Sequence, residues 1–232
     1  MYIMAQFLCR SYAKLNLSLH VFSTNQGLHP LVSLFQEISL FDTLHVIAQP
    51  STQPELVLTC THSLVPIDNA NILFRVFESI KPQLTHTYRV CLDKHIPIGS
   101  GMGGASTNAA VFFKILCHLE KLIFSEETRL QLAQSYGSDV PFFLKGGRQV
   151  VTGKGGQCRP VMQTGIPYYL VIYPAIAVST ERLFNRFDSV YGSSKPIQPV
   201  VDIERYYNDF LTLLFECYPD VETAYHQIAD HT

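Results

Sequence analysis

Residues 13–21, AKLNLSLHV, alternate strictly between apolar and polar positions. Ala13, Leu15, Leu17, Leu19 and Val21 share one face, and Lys14, Asn16, Ser18 and His20 share the other. A period of two is that of a half-buried strand, whose polar face most often meets solvent. Further strands are predicted around residues 44–48, over 56–60, over 88–94 and over 168–173, where YYLVIY is apolar throughout and reads as buried. Helical spacing runs over residues 105–119, with apolar groups AAVFF and ILCHL on its inner face. DNAN (68–71) precedes ILFRVFESI as a capping signal. Ser125-Glu126-Glu127 opens another helix that ends near Tyr136-Gly137. GSDVPFFLKGG is expected to form a loop and a short apolar element, and TGKGG a turn between the strand-like ends of residues 150–161. From Arg205 onward the pattern is helical. A shift in composition near 150–165 places the expected domain boundary, giving an N-terminal domain of residues 1–155 and a C-terminal one of 156–232.

Composition narrows the function classes. The 232 residues are 47% apolar and 16% charged with a net charge of −2, so a globular core is expected and a nucleic-acid surface is not. Any anionic ligand has to be met locally. Cys9, Cys60, Cys91, Cys117, Cys158 and Cys217 are scattered singly, without a C-x-x-C pair, as in a protein of a reducing compartment. The nine histidines form no pattern with metal-ligand spacing, so no zinc site is expected. Arg10 and Lys14 interrupt the apolar N-terminus before a signal core or a spanning helix is complete, and a cytoplasmic protein is expected.

The chemistry concentrates in residues 97–110, PIGSGMGGASTNAA. Glycines at 99, 101, 103 and 104 allow a tight turn and close approach of backbone to ligand. A helix that begins there points unpaired N–H groups, and the positive end of its dipole, into the loop. That arrangement suits a phosphate. Gly99-x-Gly101-x-x-Gly104 formally matches the dinucleotide fingerprint, but Pro97 and the alternating strand before it do not fit, nor do almost a hundred preceding residues without a βαβ rhythm. A Walker loop fails because no Lys-Ser or Lys-Thr follows the last glycine. Two more residues bear on the reading. Asp139 taken alone reads as a turn or helix cap, and Lys14 taken alone as a solvated lysine. Beside an anion-binding loop they suggest phosphoryl transfer, with a carboxylate for a hydroxyl and a cation for the charge.

Pro97-Ile98-Gly99-Ser100-Gly101-Met102-Gly103-Gly104-Ala105-Ser106 resembles the second motif of the GHMP kinases, P-x-G-x-G-L-G-S/G-S/G-S. AKLNLSL (13–19), GLHPLVSLFQ (27–36), DNANI (68–72), SDVPFF (138–143), VTGKGG (151–156), PAIAVST (174–180) and ND (208–209) follow in family order over nearly the whole chain. Within the superfamily the chain is most similar to the branch that phosphorylates a cytidyl-methylerythritol substrate in non-mevalonate isoprenoid synthesis. Other small-molecule kinases of the homoserine or mevalonate type, and a catalytically impaired nucleotide-binding remnant, are the alternatives.

The resemblance implies an α+β, two-domain GHMP kinase fold: an N-terminal mixed-sheet and helix domain followed by a ferredoxin-like C-terminal domain. It implies ATP and Mg²⁺ as cofactors and a small-molecule acceptor, with no nucleic-acid or membrane partner, in a monomer or weak dimer. By carry-over, Asp139 is the catalytic carboxylate and Lys14 its partner. Residues Gly99 to Thr107, with Pro97 before them, wrap the triphosphate; Ser106 or Thr107 reaches Mg²⁺, and Lys94 lies near the nucleotide. Asn16, His29 and Thr180 contact the substrate, while Phe35 and Phe184 line the cytidine end and Phe184 stacks on the base. Two features depart from the family pattern. Leu28 replaces the aromatic that usually precedes the histidine, and leucine packs on a base but does not stack. The third motif, a second glycine-rich loop, is absent, so a truncated C-terminal domain with uncovered apolar faces and weak or lost activity is expected.

Overall fold

The computed structural model describes residues 4–23, 29–162, 165–176, 178–192 and 207–229. Leu28 therefore lies outside the described residues. The chain divides into two compact units that each draw on several segments. The first comprises residues 1–14, 37–97 and 102–146; the second comprises 15–36, 98–101 and 147–232. The expected boundary at 155/156 falls in the turn between two paired strands of the second unit.

Strand β1 (Ala5–Val21) and strand β2 (Leu31–Pro50) pair with each other and contribute residues to both units. The alternation of residues 13–21 thus belongs to a longer strand. Its polar face is not simply solvated, because Lys14 and Ser18 are buried along with Ala13 and Val21.

In the first unit, β2 pairs antiparallel with β4 (His86–Asp93) from Thr43↔Asp93 to Pro50↔His86. β3 (Leu56–Cys60) lies parallel to β4, from Leu56↔Tyr88 to Cys60↔Leu92. Two parallel neighbours need a crossover, which α1 (Ile72–Ile80) supplies. Asn71 caps that helix, its side chain accepting from Leu73 N at 3.0 Å, while Leu73, Val76, Phe77 and Ile80 turn into the core. α2 (Gly104–Leu119) buries Phe112, Phe113, Ile115 and Leu116. α3 (Glu126–Tyr136) begins at Ser125, whose hydroxyl accepts from Thr128 N at 3.1 Å. The apolar element of SDVPFF is α4 (Val140–Lys145), a helix of six residues with Pro141 in its first turn.

Glu120 fastens the end of α2 to β4. Its carboxylate accepts from Thr85 N at 2.9 Å, Thr85 Oγ1 at 2.7 Å and the Tyr88 hydroxyl, and it pairs with His86 Nδ1 at 2.9 Å. Burial acts to raise the Glu120 carboxyl, but these hydrogen bonds, led by Tyr88, outweigh it and leave the group below its ordinary value. The Tyr88 hydroxyl moves up, first through burial and then through the neighbouring carboxylate.

In the second unit, β2 pairs antiparallel with β5 (Arg148–Gly153), from Leu31↔Gly153 to Gln36↔Arg148. β5 turns back into β6 (Gln157–Pro160). α5 (Thr180–Tyr191), α6 (Leu211–Cys217) and α7 (Pro219–Ala229) follow. Val21, Leu183, Phe187, Phe210 and Leu213 form one buried apolar cluster of this unit. The Asn208-Asp209 pair pins β1 there. Leu19 bridges Asn208, and Val21 N donates to Asp209 Oδ2 at 2.7 Å.

One predicted strand is corrected. Residues 168–173 form no strand, and Tyr168 and Leu170 are 93% and 85% exposed. An unbroken apolar run reports a need for burial, but a strand also needs a neighbouring backbone to bond. Among the described residues no strand pairs with this segment.

Candidate active site

The predicted catalytic pair meets within the first unit. Lys14 extends from the buried part of β1, and its backbone N–H donates to Met102 O at 3.0 Å, tying the strand to the end of the glycine loop. Gly103 follows at φ +73°, the left-handed conformation that lets α2 start at Gly104. A Cβ there would stand 2.7 Å from the Phe143 ring and 3.3 Å from Lys14 Cγ, so the backbone at Gly103 lies directly against the lysine stem.

Asp139 occupies the position before the first turn of α4, where an aspartate usually caps. Its side chain makes no capping hydrogen bond. Oδ2 instead lies 3.4 Å from Lys14 Nζ, with side chains 27% and 6% exposed respectively. A half-buried carboxylate turned from its local backbone toward a buried ammonium can accept a proton from a bound hydroxyl. The ammonium beside it can stabilise charge on a transferred group.

The first turn of α2 adds donors. Thr107 N closes onto Gly103 O at 2.8 Å, so the N–H groups of Gly104, Ala105 and Ser106 precede the first intrahelical bond. Thr107 is buried and Ser106 half-buried. Lys94 stands at the same helix end, its Nζ 3.0 Å from where a Gly104 Cβ would be. It bonds the Ile96 carbonyl and both oxygens of the buried Asp42, at 2.9 and 3.2 Å.

The second unit holds the predicted substrate residues. His29 Nδ1 faces Phe22 O at 2.9 Å, and Nε2 lies 3.2 Å from Asp188 on α5. Phe184, one turn earlier on that helix, stacks on the His29 ring at 5.2 Å and 15°, and Phe187 meets the same ring edge-on. Asn16 donates to Ser33 Oγ at 3.3 Å. Phe35 is buried on β2, and Thr180 is the exposed first residue of α5, next to the capping Ser179. Gly99 and Gly101 also adopt left-handed φ, of +69° and +72°, with Ser100 between them. Pro97 closes the segment that leads into this turn.

Sequence reasoning overlooked Asp42 and Asp188. Asp42 interrupts the apolar run LFDTL, the one local sign that it serves something other than packing. Asp188 sits on a polar helix face, where an acid carries no local signal.

The described residues contain no group of three or more His, Cys, Asp or Glu side chains placed to hold a metal. No helix among them is long and apolar enough to cross a membrane.

Comparison with known proteins fixes the class. The GHMP kinases N terminal domain matches residues 71–147, which include α1, β4, the glycine loop, α2 and Asp139. The chain is 39% identical to the 4-diphosphocytidyl-2-C-methyl-D-erythritol kinase of Fervidobacterium nodosum, over 89% of this chain and 73% of that one. It is 35% identical to the kinase of the same name from Thermosipho melanesiensis, over 90% of this chain and 74% of that one. A crystal structure of 4-(cytidine 5'-diphospho)-2C-methyl-D-erythritol kinase superposes with a TM-score of 0.74 at 25% identity, covering 94% of this chain and 81% of its own. The chain belongs to the 4-diphosphocytidyl-2-C-methyl-D-erythritol kinase family of the GHMP kinases. Its α+β fold is the fold of that superfamily, and it is a small-molecule kinase that uses ATP.

Proposed function

We propose that the chain transfers the γ-phosphate of ATP to the 2-hydroxyl of 4-diphosphocytidyl-2-C-methyl-D-erythritol, a step of non-mevalonate isoprenoid synthesis. The observation that carries this reading is the Lys14–Asp139 pair, 3.4 Å apart beside the glycine that opens α2. Asp139 orients the acceptor hydroxyl and takes its proton as the oxygen attacks the γ-phosphorus, and the bond from that phosphorus to the β,γ-bridging oxygen breaks to release ADP. Lys14 offsets the negative charge of the transferred phosphoryl group. The N–H groups of the first turn of α2 hold the triphosphate, with residues Pro97 to Met102 forming the approach to it. The half-buried Ser106 hydroxyl, or Thr107 beside it, would be the side-chain ligand for a Mg²⁺ carried in on the nucleotide phosphates. When bound, it neutralises phosphate charge.

The rings of Phe184 and His29 supply an aromatic surface for the cytosine, and Asn16, Phe35 and Thr180 complete the substrate contacts. The test is ATP consumption with the cytidyl substrate, homoserine and mevalonate offered separately. Transfer to the cytidyl substrate alone supports the reading. Transfer to either of the others overturns the substrate assignment, and ATP binding without transfer, unaffected by Asp139→Asn, overturns catalysis.

A further inference from the structure

Asp42 has no exposed surface, yet its carboxylate receives four hydrogen bonds from four donors and a further ion-pair contact from one of them. Oδ1 accepts from the backbone N–H groups of His95 and Ile96, each at 2.7 Å, and from Lys94 Nζ at 3.2 Å. Oδ2 lies in an ion pair 2.9 Å from Lys94 Nζ and accepts from Asn108 Nδ2 at 3.1 Å. Asn108 is held in turn by the Ser11 hydroxyl at 2.5 Å, which also reaches the Asp42 carbonyl at 3.2 Å. Three of the four donors belong to residues 94–96, just before the glycine loop, and the fourth lies in the second turn of the helix that follows it. One buried charge thus grips the chain on both sides of the loop.

The electrostatics give this grip a purpose. Lys94 Nζ stands at the N-terminal end of α2, where a lone cation meets the positive pole of the helix and is disfavoured. A buried carboxylate at 2.9 Å removes that penalty and keeps the ammonium where an incoming phosphate would contact helix and lysine together. Asparagine at this position would turn an amide donor toward Lys94 or Asn108, themselves donors, and would leave the ammonium uncompensated.

We infer that Asp42 is a positioning residue for nucleotide binding, acting through Lys94 and the 94–96 backbone to set the phosphate-binding start of α2. The inference rests on the kinase reading above. The test measures ATP affinity by calorimetry, and KM and kcat by turnover, for the full chain and for Asp42→Asn, Lys94→Met and the double variant. Asp42→Asn is expected to raise the ATP Kd and KM about tenfold, the scale of one lost charged hydrogen bond, with kcat within about threefold. The double variant is expected to resemble Lys94→Met, since both changes break one link.

A folded Asp42→Asn with unchanged ATP affinity, or with a lower active fraction at unchanged KM, overturns the inference and leaves the kinase reading intact. Additive effects in the double variant also overturn it. A wild-type chain that binds no ATP overturns both. If Asp42→Asn does not fold, Asn108→Leu, which withdraws one donor from the same carboxylate, is expected to raise the ATP KM severalfold. An unchanged KM in folded Asn108→Leu overturns the inference.

Discussion

The Lys14 ammonium lies 3.4 Å from Asp139 Oδ2, and the aspartate reaches it by forgoing the capping bond its position offers. A cap would hold the carboxylate on its own helix; here it is directed at a cation from a distant strand. If the pair serves phosphoryl transfer, Asp139→Asn and Lys14→Met each lower kcat about 10²- to 10⁴-fold, the range for a positioned acid–base or charge-stabilising group. ATP affinity is expected to stay within a few-fold, read by calorimetry beside the turnover assay. Turnover at the wild-type rate in either folded variant removes the assigned roles.

Gly103 is the tightest point of the loop. Its φ of +73° disfavours any side chain, and a Cβ would lie 2.7 Å from the Phe143 ring. Gly99 has a similar φ of +69° with nothing within 4 Å. Gly99→Ala is therefore expected to cost about 1 kcal/mol from backbone strain alone. Gly103→Ala adds overpacking and is expected to cost about 3 kcal/mol. Urea melts of the two variants give the comparison, and equal losses would show that Phe143 yields without cost.

The elements most readable from the sequence are those specified locally. Asn71 and Ser125 each sit at their helix start and bond a backbone N–H two or three residues on, so capping rules place them. Strand 56–60 is found where its residues predict it, and it forms because β4 pairs with it along its whole length, from Leu56↔Tyr88 to Cys60↔Leu92. The Asp42 cluster joins groups 52 to 66 residues apart, and His29 and Asp188 are 159 apart. No window along the chain holds both partners, and only the tertiary fold brings them together. YYLVIY shows the converse, since its apolarity is local while strand formation depends on a partner elsewhere. The Asn208-Asp209 pair stood out as a family motif, and its observed work is structural: Asp209 satisfies the Val21 N–H at the end of β1.

Phe184 covers His29 at 5.2 Å with rings nearly parallel and meets Phe210 edge-on. If this surface receives a cytosine, Phe184→Ala removes a stacking contact of about 1–3 kcal/mol. The KM for the cytidyl substrate is then expected to rise roughly 10- to 100-fold, with the ATP KM unchanged. Phe184→Leu, which keeps packing on Phe210 but not the ring face, is expected to fall between. A cytidyl-substrate KM unchanged in folded Phe184→Ala would exclude the ring from base recognition.

Glu120 and Tyr88 tie the end of α2 to β4 through a buried carboxylate, and their titrations set opposite pH limits on that tie. The Glu120 carboxyl lies below its ordinary value, so its contribution is fully present above the unfolded value of about 4.3 and is lost as pH falls through the lower folded value. The Tyr88 hydroxyl is raised, so its contribution is present below about pH 10 and is lost only as pH rises through the higher folded value. Glu120→Gln keeps the shape and removes the charge. It is expected to cost about 1–3 kcal/mol at pH 7, because the Thr85, His86 and Tyr88 donors lose an ionised acceptor. Tyr88→Phe removes one donor and is expected to cost about 1–2 kcal/mol. Urea unfolding at pH 7 and pH 3 separates the effects: the gap between wild type and Glu120→Gln narrows in acid, because below its ordinary value the unfolded carboxyl takes up a proton before the folded one does and the contribution of the ionised group declines. A gap of constant size across that range would mean that the ionised carboxylate contributes no more than its shape.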